Sequence, residues 1–299
     1  MRVLTAAPRE ERKLLGILLI LAGVVCLTLV DSAAKWLVQS MPPMEVVFVR
    51  YLGHLAIVLL ITLPVHGLSL FRTNAPRQEI WRGLTLLGAT LFNFTAVKYL
   101  PLATTATIAF TAPLWIAALS GPLLGEKVGL RRWAAVGVGF LGVLVVVQPG
   151  LAGFHWATLL ALGTALCAAL YMISTRQLAG VDATATQQLY AAGIAALVIA
   201  PLALLDWHWP ATSLDWFAFV MIGFWGWLGH QVITIAHRYA DASLLAPYFY
   251  LELVPMTLAG YLIFHDRPDI WVFVGAGIVV ASGLYVWYRE RQLAARGIL

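Results

Sequence analysis

LLGILLILAGVVCLTLVDSAAKWLV, residues 14–38, opens the chain's apolar content and settles the solvent it folds in. A helix crossing a bilayer needs about 20 mostly apolar residues, and this run carries no charge until Asp31. Nine further stretches qualify: 44–63, 80–99, 102–124, 130–147, 154–175, 184–205, 214–235, 242–264 and 270–288. Met41-Pro42-Pro43, Asn74-Ala75-Pro76, Pro149-Gly150 and Trp209-Pro210 punctuate them as turns. The connections are too short to hold a soluble domain. Arg12-Lys13 before the first run and Ser32-Ala33-Ala34 after it outline a cleavable signal. The length of the run and its counterpart later in the chain predict that it is retained.

Composition agrees. Hydrophobic residues make up 61% and charged residues 11%, with mean hydropathy +0.86, against about 45–50% and about 25% in ordinary globular domains. The net charge of +5 does not mark a nucleic-acid surface, because the basic residues are scattered through short loops and the termini. With the N-terminus in the cytoplasm, 15 of the 19 Lys and Arg residues fall on the cytoplasmic side. Lys35, Lys98 and Arg267 fall opposite, and Arg50 lies within the second span. The positive-inside rule then places both termini in the cytoplasm. Cys26 and Cys167 sit inside apolar runs and read as packing residues.

A repeat at a constant offset of 140 residues runs through the chain. Ala96-Val97-Lys98-Tyr99 matches Ala236-His237-Arg238-Tyr239, and Glu126-Lys127 matches Asp266-Arg267. Glycines coincide at Gly23/Gly163, Gly83/Gly223 and Gly137/Gly277. One offset covers five helix pairs, dividing the chain into residues 1–149 and 150–299. Five is odd, so the second copy must enter the membrane in the opposite sense. The predicted fold is therefore an all-α integral membrane protein of ten helices in two inverted five-helix repeats. Inverted repeats are characteristic of secondary transporters, whose substrate site lies near the midplane between the halves.

Asp31-Ser32-Ala33-Ala34-Lys35, then Pro43 and Arg50, resembles the first hairpin of the EamA-type drug/metabolite transporters. Pro113, Glu126, Gly137 and Gly142 continue the resemblance, echoed by Pro255, Asp266, Gly277 and Gly283. Asp266 replaces a frequent Glu, and Pro255 is two residues out of register with Pro113. The chain looks most like the bacterial YddG-type exporters of amino acids, including aromatic ones. That resemblance implies a ten-helix carrier of the bacterial cytoplasmic membrane with an export role.

Polar groups at bilayer depth each require an explanation. Glu252, in the ninth run between Pro247 and Pro255, suits a substrate amine or a coupling proton, or a hydrogen bond to a neighbouring helix. Asp31 and Lys35 are spaced for an i, i+4 ion pair, and Arg50 lies at a similar depth, so the three are expected to form a structural lock. Trp115, Trp225 and Trp227 lie near helix centres, whereas the other nine tryptophans lie at helix ends, as interfacial residues do. Tyr248 shares a helical face with Glu252. Thr104, Thr107 and Thr111 form a stripe on the fourth run, Asn93 lies on the third, and His230 and Gln231 on the eighth. The expected substrate contacts are Trp115, Trp225, Tyr248, Glu252, Asn93, His230 and Thr111, with interhelical packing as the alternative for each. Gly223, Gly226 and Gly229 read as close helix approach.

Gly137-Val138-Gly139-Phe140-Leu141-Gly142 fits GxGxxG but lies in an apolar run with no strand before it, so it is no dinucleotide loop. No cofactor, metal or ATP motif appears, so a solute gradient or a proton gradient must supply the energy. A passive channel, a nucleotide-sugar carrier and an intramembrane enzyme are the competing readings. Arg50 alone is too little cation for clustered phosphates, and Glu252 with His230 lacks a nucleophile.

Overall fold

The computed structural model describes residues 9–124, 129–148, 154–178, 181–240 and 242–295. Glu126-Lys127, Pro149-Gly150 and the division between the halves lie outside the described residues. Those described form helices and turns with no strand. In chain order they are α1 (Arg9–Leu37), α2 (Pro43–His66), α3 (Pro76–Val97), α4 (Leu102–Ala109), α5 (Ala112–Leu124) and α6 (Leu130–Val147). The second half gives α7 (Ala157–Gln177), α8 (Thr184–Ala203), α9 (Ser213–Ala236), α10 (Ala242–Leu245), a 3₁₀ segment (Ala246–Glu252), α11 (Leu253–Phe264) and α12 (Ile270–Ala295).

Among the described residues, seven segments are long and apolar enough to cross a membrane, and Trp133–Val147 is a shorter apolar helix. The other two predicted spans depart from that pattern for physical reasons. Pro76–Val97 begins with charge, and the stretch at 242–264 is broken into three pieces. The charge on α3 is internal. Arg82 is 4% exposed and Glu79 is 0% exposed. Their ion pair spans 3.3 Å. Arg82 also donates to the Gln187 carbonyl, Thr175 Oγ1 and Tyr171 Oη at 2.8, 2.9 and 3.0 Å. Charge buried within protein needs such partners.

The offset of 140 maps α1 onto α7, α2 onto α8, α3 onto α9, α4–α5 onto the segment from α10 to α11, and α6 onto α12. Packing respects that map. The extensive contact of α1 with α9 has its mate in α3 with α7, and α2 with α9 is mirrored by α3 with α8. The pairs α2–α8 and α6–α12 map onto themselves. Within these last pairs the corresponding helices run antiparallel. Ala135 and Gly139 meet Ser282, whereas Gly142 and Val146 meet Ile278 and Gly275. Likewise Leu55 lies against Gly193 and Val58 packs with Leu189.

Lipid tails are as apolar as leucine, so helices in a bilayer associate through close packing. A β-carbon on Gly223 would lie 2.7 Å from Gly53 Cα, so α2 and α9 touch backbone to backbone there. Gly226 lies against Arg50, and Gly229 against Cys26. Along α1, Leu14, Leu18, Val25 and Leu29 are exposed toward the lipid side, while Ile20, Val24, Ala34 and Leu37 are buried. Leu37, Val46, Tyr51, Phe94, Ile199 and Ile222 form the largest apolar cluster, which joins the two halves.

A broken-helix cavity and its carboxylates

Two helices are interrupted at corresponding positions. α4 stops at Ala109 and α5 restarts at Ala112, because Pro113 has no N–H for the Ala109 carbonyl and its ring crowds that group. In the second half Pro247 and Pro255 flank the 3₁₀ segment Ala246–Glu252. Paired breaks of this kind mark the binding region of many carriers.

Both breaks face a cavity of about 460 Å³, within the usual range for small-molecule sites (about 300–1,000 Å³). A 3₁₀ helix has three residues per turn, so residues i and i+3 eclipse. Ala246, Phe249 and Glu252 therefore form one row toward the cavity, and Pro247 with Tyr250 a second. Tyr248 falls on the third row, packed with Ile20, Val24, Ala236 and Leu245. An α-helical spacing puts Tyr248 beside Glu252; the tighter pitch puts Phe249 there instead, with Tyr250 on the adjacent row. That ring meets Phe110 edge-on at 5.2 Å, bringing the two breaks together.

Asp31, Asn93 and Glu252 line the cavity. Asn93 Nδ2 donates to Asp31 Oδ1 at 2.9 Å. Arg50 acts on Asp31 electrostatically without a direct ion pair. Its guanidinium lies 4.4 Å from the Tyr51 ring, and its Nε and Nη1 have no hydrogen-bond partner. Glu252 accepts no hydrogen bond among the described residues, although the charge of Asp31 reaches it. Arg50 is not part of the wall, and among the described residues His237, at one mouth, is the single His, Lys or Arg that lines it.

Lys35 does not pair with Asp31. Its Nζ lies 2.6 Å from Asp266 Oδ2 and 3.2 Å from the Leu100 carbonyl. Asp266 Oδ2 also accepts from the Leu102 N–H at 3.2 Å. One turn along α1 turns Asp31 to the cavity and Lys35 to the helix ends, where a carboxylate and a free carbonyl together satisfy the ammonium better. This knot joins α1, the start of α4 and the end of α11. Below it the cavity ends at buried Thr105 and Ala106, and at the other end the lining includes His237 and Met172, both exposed.

The remaining expected contacts pack elsewhere. Trp115 meets Phe140 edge-on at 5.0 Å, and Trp225 borders the large apolar cluster. Neither lines the cavity. Thr107 and Thr111 are buried and donate to their own helix, at the Ala103 and Ile108 carbonyls, as threonine in helices often does. His230 stands 6.1 Å from His54, near the Gln188–Gln231 hydrogen bond. His54 had no distinguishing signal in the sequence, yet it is 5% exposed with both ring nitrogens unpartnered.

The description of the EamA-like transporter family matches the chain twice, over residues 14–148 and 155–288. This chain belongs to the EamA-like transporter family. Two matches separated by about one half of the chain fit the repeat seen in the packing of this EamA-like protein. It is 29% identical to the S-adenosylmethionine uptake transporter of Rickettsia prowazekii, over 93% of this chain and 94% of that one. It is 28% identical to the riboflavin transporter of Vibrio cholerae, covering 97% and 99%. The pseudopaline exporter of Pseudomonas aeruginosa shares 27%, covering 89% and 94%. A solved structure superposes with a TM-score of 0.63 at 22% identity, covering 96% of this chain and 99% of that one, which shows the shared fold. Relatives of the EamA-like protein thus carry small metabolites in either direction, and this chain is a multi-pass membrane transporter of small metabolites.

Proposed function

We propose that this protein is a secondary carrier of the bacterial cytoplasmic membrane that exports amino acids, including aromatic ones, or similar small metabolites by alternating access. In this reading ten spans form two inverted halves, both termini are cytoplasmic, and the cavity at the broken helices alternates between the two faces. The observation that carries it is Glu252, a carboxylate without a protein partner on the wall of an aromatic cavity. A polar group left unsatisfied at bilayer depth is costly, and an amine or a proton satisfies it. Phe110, Phe249, Tyr250 and Trp287 supply apolar and aromatic wall for a flat side chain.

The positive-inside orientation puts the Lys35–Asp266 knot at the outer face and the His237 mouth at the inner face, so this conformation opens to the cytoplasm. That is the loading state of an exporter. Purified protein in liposomes should accumulate labelled amino acids by counterflow, saturably, with a rate that responds to an imposed pH gradient. Flux that rises linearly with concentration and shows no counterflow would identify a channel instead.

A further inference from the structure

The two cavity carboxylates sit in different surroundings. Asp31 has a donor in Asn93 at 2.9 Å and the Arg50 guanidinium close enough to act on it. These two groups offset part of its negative charge. Among the described residues Glu252 has neither donor nor cation. The titratable groups that share its cavity are Asp31 from α1, Tyr250 from its own 3₁₀ segment and His237 from the end of α9; α3, α4, α5, α7, α11 and α12 contribute none to the wall. Asp31 has protein groups that offset its charge, whereas Glu252, whenever it is ionised, adds a negative charge that no described group on the wall offsets.

Building on the carrier reading above, and narrowing its cargo from amino acids at large to cationic ones and other monocations, we propose that Glu252 is an exchange site held either by one proton or by the cationic centre of the cargo, and that the preferred cargo has a net charge of +1. Amines, sulfonium compounds and basic amino acids belong to that class. A net-neutral zwitterion would bring a carboxylate into a cavity whose only nearby guanidinium is already committed to Asp31. When a monocation enters, the Glu252 proton leaves to the bath that the cavity faces. It returns from the opposite bath when the cargo leaves there. One cation moves for one proton, and the exchange is electroneutral. Phe249, in the 3₁₀ row between Ala246 and Glu252, and Tyr250 in the adjacent row share the cavity wall with the carboxylate, and an aromatic wall adds to the attraction for a cation.

Phenethyltrimethylammonium and N,N,N-trimethylphenylalanine test the charge assignment, since they share ring and ammonium and differ by the carboxylate. The first is expected to bind the purified full-length protein with release of about one proton in weakly buffered solution. Its affinity should rise about tenfold per pH unit while Glu252 still holds a proton, as simple competition requires. The betaine should bind at least tenfold more weakly. In Glu252→Gln both the proton release and the pH dependence should vanish. Liposome counterflow of the two compounds and of labelled phenylalanine separates the possible failures. Counterflow of the betaine or phenylalanine without the cation, or cation binding with no proton released by the wild-type protein, overturns the charge assignment and leaves a carrier. Absence of counterflow for all three overturns the carrier reading and this inference with it. The wild-type proton release decides the matter even if Glu252→Gln does not fold.

Discussion

Replacing Lys35 by Met keeps most of the side chain's length and removes the charge that ties α1 to Asp266. Side-chain exposures of 9% and 14% make this a largely, not fully, buried pair. Removing one partner of such a pair is destabilising by about 3–5 kcal/mol, because the other charge is left uncompensated. Asp266 would keep only the Leu102 N–H, and it recovers hydration when the α1–α11 contact opens. The loss therefore falls on the closed state, and the closed-to-open equilibrium of that face should shift by on the order of 10²- to 10³-fold. Thr105 reports the change, since it lines the cavity one turn below the knot and is 1% exposed. In a background with Cys26 and Cys167 replaced by Ala, Thr105→Cys should react slowly with a membrane-impermeant maleimide added outside. Adding Lys35→Met should raise that rate by about the factor above. The double variant Lys35→Met/Asp266→Leu removes both charges, and its rate should return toward the starting value. An unchanged rate in folded, transport-competent Lys35→Met protein would refute the gating role of the knot.

Other predictions are independent of that one. Arg50→Ala should lower the yield of folded protein in detergent by size-exclusion chromatography, because Asp31 loses its compensating cation; abundant monodisperse variant with selective loss of transport would make Arg50 a transport residue. Gly223→Ala should reduce thermal stability measurably, since the new methyl group meets the Gly53 backbone, and a transition within a degree of wild type would contradict the backbone contact. Gly283→Ala places its methyl group on the Tyr250 hydroxyl, so the folded variant should show a raised substrate KM in liposomes. In the loop between α7 and α8, burial nudges the Asp182 carboxyl upward, but the Asn74 N–H groups and the Thr73 hydroxyl hold it below the ordinary Asp value. Its contribution to stability is therefore present above the unfolded-state pKa and lost as pH falls through the lower folded value. Amide exchange at residues 73–75 should stay protected at pH 5 and rise only under stronger acid, and Asn74→Ala should abolish that profile.

The apolar runs and the 140-residue offset made most of the architecture legible, because lipid demands long apolar helices and the two family matches keep nearly the same spacing. The polar exceptions Asp31, Asn93 and Glu252 were legible for the same reason: each stands out against a hydrocarbon background. What the sequence concealed was pitch and distance. Pro247 and Pro255 announced an irregular ninth span, but only the 3₁₀ geometry shows that Tyr250 replaces Tyr248 on the cavity wall. Lys35 and Asp266 are 231 positions apart, so no local rule pairs them, and the nearer Asp31 offered a false partner. Depth singles out Trp115, Trp225 and Thr111, and depth does not say which way a side chain points. The buried His54 resembles any other polar residue in a run until α8 and α9 close over it.

Everything proposed for the cavity presumes that the two halves cross the membrane in opposite senses. His66 and Asp206 are exposed, 140 positions apart, and follow the ends of corresponding runs. Single cysteines placed at these two positions in the background without Cys26 and Cys167 can be labelled on intact cells with an impermeant maleimide, then again after lysis. The inverted arrangement requires label at position 206 on intact cells and at position 66 only after lysis. Equal labelling of both on intact cells would put the halves in the same sense and end the account.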